Sequence, residues 1–302
     1  MTLVLVIHVA GTVVLGAVNA EVLSIYEIQH VDVNEHPDGI SLKEGRVVDC
    51  SGGVVIDKFR RGRVKLTIQD TTDPNALAGW GGIIVKNNKF TVDPNIFDDV
   101  NIGVWISFTN VLVNEDYGNT MLQFEPNSSF TVDSSSNVLP EPIILGPNDI
   151  AGPAYQSGPP EGWFVSDRSA EKYEAMLVQV KNVEVNDWDL GAHFDNYVLQ
   201  DYGSNEPYQS CWATDYLNEN QNEYGYHPFV EVGQHFCSVT GIVEQYIGNR
   251  SGYDWDYYQL LTTDTADLKR YTPADFDGDC TVDFSDFAVF SQYWLWGAEE
   301  RQ

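Results

Sequence analysis

The sequence predicts an all-β protein made of two tandem β domains, followed by a short C-terminal loop and helix. Three observations carry that expectation. Short β-branched and aromatic runs ("RVKLTIQD", "GGIIVK", "VWISFTNVLV", "MLVQVKNVEV", "FCSVTGIVEQY", "YYQLLTT") are broken by Gly, Asn, Asp and Pro, as strands of small β units are. Helix-like periodicity is scarce until residue 284. Four short matches also recur in order at an offset of 130 or 131 residues. "TIQD" ending at Asp70 returns as "VLQD" ending at Asp201, and "VNIG" at Val100 returns as "VEVG" at Val230. "SFTNVL" from Ser107 returns as "SVTGIV" from Ser238, and "GN" at Gly118 returns at Gly248. One such match is noise; four at one offset mark a duplication.

Residues 1–20, "MTLVLVIHVAGTVVLGAVNA", are apolar without acid or base, and Val18 and Ala20 form a small-residue cleavage pattern before Glu21. A secretory signal peptide is expected, hence no membrane span after cleavage; the missing basic n-region keeps an uncleaved anchor as the alternative. Residues 21–140 form the first β domain and 171–270 the second, each of a size for about five to six strands. Between them, residues 141–170 hold "EPIILGPNDIAGPAYQSGPPEGW", whose five prolines and four glycines predict an extended connector. Residues 271–302 are the tail.

The runs "EKYEAMLVQVKNVEV", "NYVLQD", "VEVGQHFCSVTGIVEQY" and "YYQLLTTDTADL" resemble the OB-fold repeats of exported bacterial proteins. "GRVVDCSGGVVID", "KLTIQD" and "VNIGVWISFTNVLV" resemble the same pattern more weakly, so the likeness covers most of residues 45–270. It implies an all-β fold of two tandem OB-like, Greek-key domains. The matches are apolar and turn positions, which speak for fold and not for activity.

The tail carries the sharpest motif. In "DFDGDCTVDFSD", residues 275–286, Asp275, Asp277 and Asp279 stand at loop positions one, three and five. Thr281 offers a carbonyl at seven, Asp283 falls at nine and Asp286 closes at twelve. Calcium takes six to eight oxygens at about 2.3–2.6 Å, and this spacing wraps a short loop around one ion. An EF-hand has Gly at six and Glu at twelve; here Cys280 and Asp286 stand there. The closing Asp resembles dockerin modules, which dock onto cohesins, but only "GAEERQ" follows the helix, so a second repeat is absent from this stretch. In "FSDFAVFSQYWLW", Phe284, Phe287, Val289, Phe290, Tyr293 and Trp294 recur at three- and four-residue steps, a helical stripe that needs a covering surface.

Charge narrows the function classes. The net charge of -29 sets 16 Lys and Arg against 45 Asp and Glu, a surface that repels polyanions, so no nucleic-acid partner is expected. No HExxH, GxSxG, P-loop or strand-to-helix GxGxxG is present, and acid pairs such as Asp98–Asp99 arise by chance among so many acids, so an enzyme is not expected. His30, His36, His193, His227 and His235 read as structural or exposed. Aromatic loops in domain two make Trp188, Trp212 and Tyr202 candidate ligand contacts, with the core as their ordinary alternative. Of four cysteines, Cys211 and Cys237 are the expected pair if disulfides form, since both lie in one domain; free thiols are the alternative. The function expected is adhesion or extracellular assembly at the cell surface, with calcium as cofactor. Its partner would be another protein or a second copy, bound through the C-terminal helix. The rivals are a carbohydrate-binding accessory module on a polysaccharide, a nuclease-associated OB protein and a fibre-forming subunit.

Overall fold

The computed structural model describes residues 20–60, 64–151, 163–164, 168–188, 196–204, 210–215, 230–250, 253–276 and 280–299. The expected signal peptide thus lies almost wholly outside the described residues. The first barrel is built from β2 (Val47–Arg60), β3 (Val64–Gln69), β4 (Gly82–Asn87), β5 (Trp105–Asp116) and β6 (Asn119–Phe124). They pair in the order β2-β3-β4-β6-β5, and β2 pairs with β5 again, which closes the sheet and removes its edges. Within this ring only the β4–β6 contact is parallel. Ahead of β2 run β1 (Val22–Leu23) and helix α1 (Ile25–Gln29); α2 (Pro74–Ala78) links β3 to β4, and β7 (Ser129–Ser134) lies along β5. Alternation fills the interior: Val64, Leu66 and Ile68 of β3 meet Ile83 and Val85 of β4 and Phe97, Phe108 and Phe124. Burying each such side chain stabilises the fold by about 1.5–3 kcal/mol.

The second barrel repeats the plan. β10 (Leu177–Trp188), β11 (Asn196–Asp201), β12 (Ser210–Asp215), β13 (His235–Arg250) and β14 (Tyr253–Thr262) pair as β10-β11-β12-β14-β13, with β10 closing on β13 and only β12–β14 parallel within the ring. Even the irregularities coincide. The β2–β3 register slips between Val55 and Asp57, and the β10–β11 register between Val185 and Asp187. A bulge bends its strand and tightens the twist, which a small barrel needs to close. The protein is therefore all-β, two OB-like barrels in tandem with a short C-terminal helix. The segment expected as an extended connector contributes β8 (Ile143–Leu145) and β9 (Trp163–Phe164) to the second sheet, with helix α3 (Pro147–Ala151) between them. β15 (Leu268–Arg270) pairs with β13 before the tail.

Barrel meets barrel along a close seam. Outward-facing Ile56 and Phe59 pack on Ile242 and Leu261, and Ile84 and Met121 pack on Ala175. That second contact explains why "GIIVK" is apolar without alternation: Ile83 and Val85 face the barrel interior while Ile84 faces the other barrel. Polar groups are paired across the same surface. Gln69 Oε1 accepts from the Leu177 backbone at 3.1 Å, Thr263 donates to Asp57 at 2.9 Å, and the Asn119 amide both donates to and accepts from the Gln245 backbone. Gly82 sits so near that a Cβ there would lie 2.1 Å from the Ala175 carbonyl oxygen. At this position glycine permits the approach.

Candidate functional site

The acidic loop is tied together by the aspartates at its two ends. Asp275 and Asp286, at its two ends, are both buried. Asp275 Oδ2 accepts the Cys280 N–H at 2.7 Å; Asp286 Oδ1 accepts from Phe276 at 2.6 Å and its Oδ2 from Asp283 at 2.7 Å. Asp286 thus clasps both sides of the loop and opens helix α4 (Phe284–Glu299). Thr281 and Asp283 are exposed, and Asp277 and Asp279 lie outside the described residues. The buried carboxylates at both loop ends are thus held by backbone N–H groups of the loop itself. Cys237 and Cys280 also approach Asp275, but they are joined to each other, so they offer no thiolates.

That bond corrects the expected Cys211–Cys237 pairing. Cys237 bonds to Cys280, while Cys50 and Cys211 are free and buried in the two cores. The tail lies on barrel two, so the partner of Cys237 comes from 43 residues downstream and not from its own domain. Tyr202, Tyr271 and the loop continue this attachment. The Tyr202 ring stacks on His235 at 3.8 Å, His235 stacks on Tyr271 at 4.6 Å, and the Tyr271 hydroxyl donates to the Asp275 carbonyl. Tyr202, half exposed, thus buttresses the tail. Trp212 is a core residue, 1% exposed and edge-on to Tyr257, so it is no ligand contact. The Trp188 backbone pairs with Tyr197; its side chain lies outside what the structure describes.

A cleft missed by sequence reasoning lies where the two barrels meet. It has a volume of about 570 Å³ and is lined by Lys65, Lys86, Lys89, Phe90, Tyr117 and Tyr246, with Asn, Gln and two acids, Asp116 and Glu244, between them. Strand register brings the lysines together, since Lys65 starts β3 and Lys86 ends β4 on the same outward face. An Asx turn positions the next pair: Asn88 Oδ1 accepts the Phe90 N–H at 3.1 Å, and the Asn88 amide donates to Glu125. Phe90 is 84% exposed with the Lys89 ammonium 4.8 Å from its ring centre. A two-residue turn carries Tyr117. Tyr117 and Gly118 both have positive φ, 55° and 94°, as a tight hairpin between β5 and β6 requires. That turn lays the Tyr117 ring on Tyr246 of the other barrel, 5.8 Å between centres and 6° from parallel. The Ile247 N–H donates to the Tyr117 carbonyl beside it. Lys86 Nζ meets Asp116 at 2.6 Å, so part of the cleft's positive charge is neutralised. Three ammonium groups beside three aromatic rings can hold an anion next to a planar group.

No family model matches this chain, and no curated relative matches it. Among solved structures, the chain is similar to an OB domain from Methanosarcina mazei (16% identity, 31% of this chain and 79% of that one, TM-score 0.24). It is also similar to fission yeast Pot1 solved with ssDNA (12% identity, 90% and 92%, TM-score 0.29). A third is a murine DNA-binding protein bound with dsDNA (10% identity, 72% and 94%, TM-score 0.30). Two of these three were solved with DNA. That finding runs against the expected adhesion or assembly role and against the expectation of no nucleic-acid partner. The charge argument also has a physical gap: a net charge of -29 coexists with a lysine-lined cleft, so the total does not exclude a local cationic surface.

Proposed function

We propose that the cleft between the barrels binds a short segment of single-stranded nucleic acid, one or two bases stacking on Phe90 and the Tyr117–Tyr246 pair while Lys65, Lys86 and Lys89 meet the phosphates. The observation that carries this reading is the gathering of those lysines and rings in one cleft of a strongly acidic chain. OB barrels use such a face and its loops for oligonucleotides, and base–aromatic stacking contributes about 1–3 kcal/mol per base. The acidic surroundings disfavour a long polyanion, so the footprint is short. With two to three phosphates met, log K falls against log salt with a slope of about -1.4 to -2. Fluorescence anisotropy with a labelled oligothymidine tests this: Phe90→Ala and Lys89→Glu should each weaken binding about tenfold and Lys89→Glu should flatten the salt slope. Wild-type affinity in both variants would refute the site.

We further infer that calcium closes the dockerin-like loop through Asp275, Asp277, Asp279, Thr281, Asp283 and Asp286, and that the chain is exported and non-catalytic. The buried Asp275 and Asp286 carboxylates support the metal. The ion would neutralise their repulsion and hold the loop ends together. The Cys237–Cys280 disulfide supports export, since such bonds persist in oxidising compartments. Calorimetric titration with calcium, followed by far-UV circular dichroism of helix α4, tests the loop; Asp286→Ala should abolish the heat.

A further inference from the structure

Behind the cleft the seam holds a layer of buried acids. Glu115 ends β5, while Glu171 and Glu174 flank a single 3-10 turn, Glu171–Tyr173, that leads into β10. Glu171 and Glu174 are each 2% exposed. Glu174 Oε1 accepts the Thr120 N–H at 2.9 Å and the Gln29 amide at 3.3 Å, and its Oε2 is buried without a partner. Glu115 Oε1 accepts from the Thr120 hydroxyl at 2.6 Å and the Ser41 N–H at 3.1 Å, and its Oε2 too is buried without a partner. Gln245 Oε1, from barrel two, is a third unpartnered buried acceptor. Glu171 takes the Tyr258 hydroxyl.

Compensating positive charge is scarce here. Arg168 faces the layer, but its guanidinium is held two-pronged by Asp256 at 2.9 and 2.5 Å and donates to the Pro37 carbonyl. The charged and titratable groups acting on Glu174 are Glu171 and Glu115; on Glu171 they are Tyr258, Arg168, Glu115 and Asp256; on Glu115 they include Glu44 and Asp38. All but Arg168 and the neutral phenol are acids. Buried carboxylates facing one another with orphaned oxygens require protons. A proton on Glu174 or Glu115 converts an orphaned acceptor into a donor.

We propose that this acid layer is a proton-dependent latch between the barrels: protonated, it holds the seam shut and the cleft walls in register; ionised, it releases its protons to solvent and lets the barrels part. The latch itself is independent of any ligand; its consequence for oligonucleotide affinity rests on the reading of the cleft above. Burial pushes Glu171 up to about 8 and lifts Glu174 well above the ordinary carboxylate range. A carboxyl raised in the folded state stabilises the seam below its unfolded pKa, and that stability is lost as pH rises through the folded value. The latch therefore holds in mild acid and yields on the alkaline side of neutrality.

Hydrogen exchange on the full chain tests it, after correction for the intrinsic pH dependence of exchange. Protection at the Thr120 and Gln245 amides should fall about tenfold between roughly pH 6 and 9, while Glu171→Gln and Glu174→Gln flatten that change. Unchanged protection in the wild type, or the same fall in both variants, would overturn the latch. Should a variant fail to fold, carboxyl carbon shifts in the wild type decide: ionisation of both Glu171 and Glu174 complete by about pH 6 overturns it, and protonation persisting to about pH 7 supports it. Oligothymidine anisotropy measured over the same pH range separates the two ideas. If the seam opens and affinity does not change, the cleft reading fails and the latch stands.

Discussion

The two barrels share strand order, closure and even the site of their bulge, yet their outward faces differ. Aligning core positions Ile83 and Val85 with Cys211 and Ala213 puts Lys86 opposite Thr214. Aligning Leu66 and Ile68 with Tyr197 and Leu199 puts Lys65 opposite Asn196. Barrel one presents cations where barrel two does not, and the cleft lies on barrel one's side of the seam. Duplication preserved what closes a barrel, namely inward positions and bulges. It left the outward rows free to become a seam on one stretch and a lysine-lined cleft on the next. Along β3 a single outward row makes the point: Lys65 lines the cleft and Gln69 bonds across the seam.

The sharpest way to separate core from surface is Trp212→Ala. Its equivalent in barrel one is Ile84, buried in the seam, whereas Trp212 is buried against Tyr257. Removing it should destabilise barrel two by about 3–5 kcal/mol and leave oligonucleotide affinity unchanged when measured below the unfolding midpoint. Chemical denaturation followed separately in each barrel would register this as one early transition. The next effect falls on the seam. In Gly82→Ala a Cβ would meet the Ala175 carbonyl oxygen at 2.1 Å, and the backbone cannot swing aside as a side chain can. A loss of about 1–3 kcal/mol is expected, together with a larger radius of gyration in solution scattering, because the barrels are pushed apart rather than unfolded.

These contrasts also explain what the sequence made legible. Strands with one wet face, such as "VWISFTNVLV", alternate and are found easily. Four matches at one offset exposed the duplication because turn residues are tied to backbone geometry: Gly103 and Gly233, which end two of the matched runs, have φ of 82° and 81°. The lysine-lined cleft was hidden for the opposite reason. Lys65, Lys86 and Tyr246 come together only through register and barrel packing, and the charge total conceals them; "KNNKF", two lysines and a phenylalanine in an acid-rich chain, was the one local signal. Trp212, expected among the aromatic loops, stands in strand β12, and nothing local to it announces the Tyr257 ring that covers it. The Cys237–Cys280 bond was missed because sequence proximity stood in for the tail's path over barrel two.

The smallest expected effect compares two aspartates that duplication placed alike. Asp57 and Asp187 each follow the bulge of their long strand. Asp187 is exposed, whereas Asp57 is covered by barrel two, accepts the Thr263 hydroxyl, and has a second oxygen buried without a partner. Burial raises Asp57 to about 6, and Asp267 and Asp264 across the seam raise it further, while Thr263 and the Lys58 N–H pull the other way. Because the folded value exceeds the unfolded one, the proton is bound more tightly in the folded chain. Stability associated with Asp57 is therefore complete in acid and lost as pH climbs from about 4 through about 6. Asp57→Asn keeps an acceptor for Thr263 without the charge. It should raise stability at neutral pH by about 1–2 kcal/mol and flatten the stability profile across that window. Asp187→Asn, the same change on the solvent side of the twin barrel, should shift stability by less than about 0.5 kcal/mol. Urea midpoints measured at several pH values read both at once. If the two variants behave alike, the seam does not distinguish the barrels electrostatically, and Asp57 is solvated despite its cover.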